Sequence, residues 1–307
     1  MRVTDQLVGN FISRSNADLK SELFESVRRI TSGKSVSRPS DDPVAAARIL
    51  RIDRLMKDLT SIDRSHQRVT SDLNITEISL GQLSEVLANV KTLALQMANN
   101  TVSAAERAAA ATEVLGFRDQ MLDLANRQQE DGRHLFGGRA EATPPYDEIT
   151  GDYLGSEINR RVEVAPGVFS AGTVLGEESF GGAGDEVFAV FDDLAAAMNA
   201  NDTAAILDQI EPLDTKIDDT SQNLALLGTR LRSLLDTEGI TDTLRIQYVQ
   251  DKNSYEEVDI ASEITNYTAQ ENSLTAVVEL SRRLLANSLS AFLRYCLLYT
   301  SPSPRDS

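Results

Sequence analysis

From Ile52 onward the apolar residues recur every third or fourth position. The series is Ile52, Leu55, Leu59, Ile62, His66, Val69, Leu73, Thr76, Leu80, Leu83, Leu87, Val90, Ala94 and Met97, and twelve of these fourteen are apolar. A 3-4 spacing held over six heptads predicts a coiled-coil or bundle helix, about 70 Å long at 1.5 Å per residue. Breaks are expected only near Ser71 or Asn99, where the chain is polar. A further alanine-rich helix is expected over Ser103–Gln129, stopped by Gly132. Helical spacing returns at Val187, Val190, Phe191 and Leu194. It then runs through Ile206, Ile210, Leu213, Ile217, Thr220, Leu224, Leu227, Leu231 and Leu234, with a kink or a fresh start expected at Pro212 and a weakening at Gly239. A last helix is expected over about Asp259–Leu293. Its stripe is poorer, because Glu271, Ser281 and Ser288 interrupt Ile260, Ile264, Tyr267, Leu274, Val278, Leu285 and Phe292.

Between these helical stretches the period changes. Residues 133–185 hold ten of the chain's seventeen glycines and three of its eight prolines. Ile158, Arg160, Val162 and Val164 alternate with Asn159, Arg161 and Glu163, which is a half-exposed strand pattern. Leu135–Phe136, Val168–Phe169 and Val174–Leu175 are candidate neighbouring strands. The expected fold is mainly α: a long antiparallel coiled coil or helical bundle built from both chain ends, with a small β-rich insertion in the middle. The expected segments are 1–42, an N-terminal helical segment and elbow; 43–132, long helices of a rod; and 133–186, the glycine-rich insertion. They continue as 187–258, rod helices; 259–294, a C-terminal assembly helix; and 295–307, a non-native or disordered tail.

Composition narrows the function. Aromatics are 5% with no Trp, and the formal charge of −17 argues against a polyanionic nucleic acid as partner. The single Cys296 excludes an intrachain disulfide framework. No apolar run suits a signal peptide at the N-terminus or a membrane span anywhere, so no membrane insertion is expected.

Candidate chemistry concentrates in "RITSGKSVSRPSDDPVAAARI", Arg29–Ile49. Gly33-Lys34-Ser35 ends like a phosphate loop, but the required glycine five residues earlier is Arg28, and a helix rather than a strand precedes it. Gly33 as the residue just past a helix, with Lys34 facing solvent, explains it better. Asp41-Asp42 has no further carboxylate at calcium-loop spacing. Asp42 before Pro43 reads instead as a helix N-cap followed by proline at the first helical position. His66 and His134 are too few and too far apart for a metal cluster, and His66 on the heptad seam reads as a packed, hydrogen-bonded polar residue. No nucleophile or dinucleotide motif occurs, so neither an enzyme nor a cofactor is expected.

"RRITSGKSVSRPSDDPVAAARILRI", Arg28–Ile52, resembles the N-terminal signature of bacterial flagellin-type axial proteins. Its Arg-Pro-Ser-Asp-Asp-Pro form is closer to the hook-associated members that join hook to filament than to filament flagellins, whose equivalent reads nearer Ser-Ala-x-Asp-Asp-Ala. "DGRHLFGGRAEATPPY" (Asp131–Tyr146), "RRVEVAPG" (Arg160–Gly167), "LLGTRLRSL" (Leu226–Leu234) and "YTAQENSLTAVVELSRRLLANSLSAFL" (Tyr267–Leu293) agree with the same family. The resemblance implies a coiled-coil inner layer with the β insertion facing outward. It also implies export through the flagellar type III apparatus without a cleaved signal, and assembly as a ring of copies in the extracellular flagellum. The partners it implies are the chain itself, a neighbouring hook-associated protein, flagellin, and a cytosolic export chaperone at the C-terminal helix. A short flagellin forming the filament itself, and a cytoplasmic coiled-coil adaptor, stay open as alternatives.

The residues expected to matter are therefore structural. Gly33, Arg38, Pro39, Asp41, Asp42 and Pro43 would form the elbow. Leu7, Phe11, Ile12, Leu274, Val278, Leu285, Leu289 and Phe292 would form assembly interfaces. "YCLLYTSPSPRDS", residues 295–307, departs from the family pattern and is expected not to continue the last helix.

Overall fold

The computed structural model describes residues 2–129, 131–182 and 186–298, with backbone alone for 2–6, 8 and 285–298. In chain order the described elements are α1 (Arg2–Ser32), α2 (Pro43–Met97), α3 (Ala104–Ala125), β1 (Arg161–Ala165) and β2 (Val168–Ala171). They continue as α4 (Gly176–Phe180), α5 (Val187–Asn199), α6 (Thr203–Asp208), α7 (Ile210–Glu256) and α8 (Ile260–Leu298). The fold is mainly α with one small antiparallel sheet.

The chain divides into two units: Met1–Arg54 with Gln247–Ser307, and Leu55–Ile246. Their boundaries fall inside α2 and α7.

In the unit Leu55–Ile246 the heptad seam of α2 closes as the pattern demands. Val69, Leu73, Leu80, Leu83, Leu87, Val90 and Ala94 are fully or almost fully buried, together with Leu213, Leu227 and Leu234 of α7. His66, on the same seam, is buried with its Nε2 2.8 Å from the Leu234 carbonyl oxygen. α2 runs unbroken through Ser71 and ends at Met97, just before Asn99. Its end is closed by Arg107 of α3, which donates to the carbonyls of Met97 and Asn99. The Met97 carbonyl is an orphan acceptor of the helix terminus; that of Asn99, just beyond it, also accepts from Val102 N. α3 starts in a capping box, where Ser103 and Glu106 bond each other's backbone N–H.

Several boundaries differ from the sequence reading. α3 stops at Ala125, four residues short of Gln129, because Asn126 uses its side chain to hold Tyr146: its Nδ2 donates to Tyr146 O, and its Oδ1 accepts from Tyr146 N, both at 2.9 Å. Gly132 is a left-handed turn residue beyond that point rather than the helix stop. Pro212 is the third residue of a fresh helix, where its missing N–H has no intrahelical partner to lose. Gly239 lies within α7, which continues to Glu256. α8 continues through Leu298, so the backbone of residues 295–298 is helical, against the expectation for the tail.

The glycine-rich insertion holds one hairpin, β1 paired with β2, instead of four strands. Val162 and Val164 turn inward as the alternation predicts, whereas Ile158 lies outside the strand and is exposed. Leu135, Phe136, Val174 and Leu175 are buried without being strands. Leu135, Phe136 and Val174 belong to the same core as α5, through an aromatic cluster. Phe136 meets Phe180 edge-on at 5.0 Å, and Tyr146 meets Phe188 edge-on at 5.3 Å. A two-stranded sheet is too small to be stable alone, so the insertion borrows its core from the helices. Tyr146 donates its hydroxyl to Gly181 O at 2.9 Å, and burial pushes the neighbouring Tyr153 phenol up to about 12.

Candidate functional site

The elbow occupies residues 33–42, between α1 and α2. Gly33 (φ +70°) ends α1 in the left-handed conformation that glycine adopts without strain, and its N–H reaches Arg29 O at 2.9 Å. Asp42 opens α2: its Oδ1 accepts from the backbone N–H of Val44 at 2.9 Å and of Ala45 at 3.0 Å, and Pro43 is the first helical residue. Asp259 repeats the device at α8, accepting from Ala261 N and Ser262 N.

Asp41 organises the loop itself. Its Oδ2 accepts from Ser37 N at 3.0 Å, Arg38 N at 2.9 Å and the Arg28 guanidinium at 3.1 Å. The two backbone donors, followed by Arg28, hold the carboxyl below its ordinary range. Arg28 also pairs with Glu25 one turn back on α1. Arg38 contributes its backbone; its side chain is exposed and comes no nearer than 3.9 Å to Glu25.

The loop is bonded to the turn between α7 and α8. Ser35 N donates to Glu256 O at 2.7 Å and Val258 N donates to Gly33 O at 3.1 Å, forming an isolated antiparallel bridge between Lys34 and Glu257. Lys34 is exposed and also pairs with Glu256. Nearby, the Arg48 guanidinium stacks 5.0 Å from the Tyr255 ring centroid, and Lys252 Nζ lies 2.8 Å from Asp53 Oδ1. These partners were invisible in the sequence because about 220 residues separate them from the signature.

α1 packs on α8, where Leu19, Leu23, Ile30, Tyr267 and Val277 are half-buried and polar bonds join the two helices. Ser26 Oγ donates to Gln270 Oε1 at 3.0 Å, and Arg29 Nε donates to Glu263 Oε1 at 2.8 Å. Burial pushes the Glu263 carboxyl up, but the bonds from Arg29 and Ser26 prevail and leave it lowered. Other apolar side chains of the two helices face outward. Leu7 and Phe11 are exposed, Phe11 by 73%; Ile12 and Leu274 are half-buried, and Val278 is exposed. The side chains of Leu285, Leu289 and Phe292 lie outside the described residues. Phe24 (75% exposed), Val27, Ile260, Ile264, Leu280 and Leu284 extend the outward apolar set. The sequence reading omitted them because a helical stripe does not reveal which neighbour covers it.

No group of three or more His, Cys, Asp or Glu is placed to hold a metal among the described residues, and no described helix is long and apolar enough to cross a membrane. His134 is buried between Asn126 O and the Gln128 amide.

Long terminal helices, a capped elbow and a small hairpin make up a mainly α fold. Residues 6–141 match the family model of the bacterial flagellin N-terminal helical region. The flagellar hook-associated protein 3 of Escherichia coli is 24% identical over 300 residues, covering 90% of this chain and 94% of that protein. The solved structure of Xanthomonas campestris FlgL superposes with a TM-score of 0.58 at 20% identity, over 66% of this chain and 99% of that one. That of the flagellar junction protein FlgL from Legionella pneumophila gives 0.55 at 15% identity, over 70% and 100%. The chain therefore has the FlgL fold.

Proposed function

We propose that this protein is a structural component of the bacterial flagellum, polymerising through its terminal helices as the junction between hook and filament. One observation carries the reading: similarity to a hook-associated protein runs through nearly the whole chain, across elbow, insertion and C-terminal helices alike. The physical design supports it. A closed core in residues 55–246 needs no partner, whereas α1 and α8 only half-bury their shared apolar side chains, are joined by polar bonds, and leave Leu7, Phe11, Phe24 and Val278 exposed. Exposed apolar faces of this extent mark interaction surfaces.

The role is structural, with no catalytic step. In this reading the protein leaves the cell by flagellar type III export without a cleaved signal and forms a ring of copies. A second hook-associated protein would lie on the hook side, flagellin on the other, and an export chaperone would mask α8 beforehand. The elbow residues Gly33, Pro39, Asp41, Asp42 and Pro43 fix how α1 enters α2. Leu7, Phe11, Ile12, Leu274 and Val278, joined by Phe24 and Val27, supply the apolar contacts between subunits.

Deleting the gene and imaging the cells tests the proposal. Bare hooks with flagellin shed into the medium are expected. Absence of flagellin itself would assign the protein to the filament, and retention of the protein in the cytoplasm of an export-competent strain would make it an adaptor.

A further inference from the structure

We propose that, within the assembled ring, the turn Asp147–Asp152 of one copy docks into an apolar pocket beside α3 of the next copy. The inference rests on the reading of the protein as a ring former. It concerns the insertion, which that reading leaves without a contact.

The turn is a rigid knob. Asp147 Oδ1 accepts from Ile149 N at 2.9 Å and Thr150 N at 2.8 Å; Gly151 N donates to Asp147 O, and Asp147 N to Asp152 O, both at 3.0 Å. Gly151 takes φ +77°, and a Cβ there would lie 3.0 Å from Phe188. Arg118 of α3 donates to Ile149 O at 2.9 Å. All this order presents an isoleucine to solvent: Ile149 is 85% exposed. Rigid presentation lowers the entropy lost on binding. The knob is acidic, since Asp147, Glu148 and Asp152 flank the isoleucine.

The pocket, of about 280 Å³, is lined by Ile75, Ile78, Leu124, Leu135 and Phe136. Ile78 is exposed although the residues below it are buried. The polar groups of the pocket complement the knob. Arg127 lines it, is exposed, and has no ion-pair partner among the described residues. Gln129 also lines it, and its Nε2 is buried with no acceptor among the described residues. An apolar tip carrying acceptors and negative charge thus fits an apolar pocket carrying donors and positive charge. Both halves lie on one chain, and a contact between two different patches of the same chain propagates from copy to copy and closes into a ring when the rotation permits. That selects a second copy as the occupant.

The test is proximity in assembled flagella. In a Cys296→Ser background, Ile149→Cys and Ile78→Cys are combined in one chain, and isolated flagella are treated with a short bis-maleimide. Both positions are exposed, so neither change threatens folding. A ladder of cross-linked multimers is expected from the double variant and none from either single variant. Glu148→Arg or Arg127→Glu should each lower the yield about fivefold, and their combination should restore it, as for a rim charge pair made repulsive and then repaired. The protein present in the flagella without a ladder overturns the contact while sparing the junction reading. A cross-link from Ile78→Cys alone to a chain of different mass overturns the assignment to a second copy. Absence of the protein from flagella overturns both.

Discussion

The two units solve the burial problem in opposite ways. In residues 55–246, α2, α3, α5 and α7 bury an almost continuous series of Leu, Val, Phe and Met side chains, and even the insertion contributes its aromatics to that core. In the unit of residues 1–54 and 247–307, the described fully buried apolar residues are few: Ala45, Ala46 and Ile52. There the helices are joined by Ser26, Gln270, Arg29 and Glu263, and capped by Asp42 and Asp259. One unit is stable because it excludes water. The other is pinned by hydrogen bonds over a half-buried seam and keeps large apolar side chains exposed. Polar pairs between exposed helices contribute little net energy, yet they set register, which suits helices that, in the proposed assembly, order the same way in every subunit.

The largest expected effect lies in the closed core. Leu87→Ala, at a fully buried position, should lower unfolding stability by about 2–5 kcal/mol, read by denaturant or thermal unfolding of the secreted protein. Next comes Asp42→Ala, expected to cost about 1 kcal/mol through the lost cap and to impair assembly; an unchanged junction in cells would deny the elbow its role. Phe24→Ser should sharpen the comparison most. Being exposed, it should leave monomer stability within about 0.5 kcal/mol while sharply reducing incorporation into flagella. A stability loss as large as that of Leu87→Ala would break the contrast between the units. Limited proteolysis should cut the monomer within residues 1–40 and beyond 260 before it touches the closed core; uniform protection would contradict this.

The smallest effect is a pH dependence confined to the elbow. The Asp41 carboxyl is lowered by Ser37 N, Arg38 N and Arg28. A carboxyl with a lowered folded-state value contributes stability above its unfolded value and loses it as pH falls through the folded one. The elbow should therefore stay ordered at neutral pH and loosen only below the ordinary carboxylate range. Faster amide exchange at Ser37 and Arg38 would report it, and Asp41→Asn should remove the dependence.

The repeating pattern by itself determined the helices. Six heptads from Ile52 to Met97 could form only one kind of element, and Gly33 and Asp42-Pro43 marked where α1 ends and α2 begins. Those features are local: spacing, caps and proline placement act within a few residues, so they are legible without the fold. Tertiary structure decided the rest. Asn126 ended α3 early because its amide had Tyr146 to bind. The insertion kept two strands instead of four because Leu135, Phe136, Val174 and Leu175 found burial against helices, and backbone hydrogen bonding in a wider sheet was not needed. Lys34 and Ser35 acquired Glu256 as a partner from the far end of the chain. The outward faces of Phe24 and Val27 also became visible only in the fold, because a periodic stripe states that a face is apolar, and only packing states whether anything covers it.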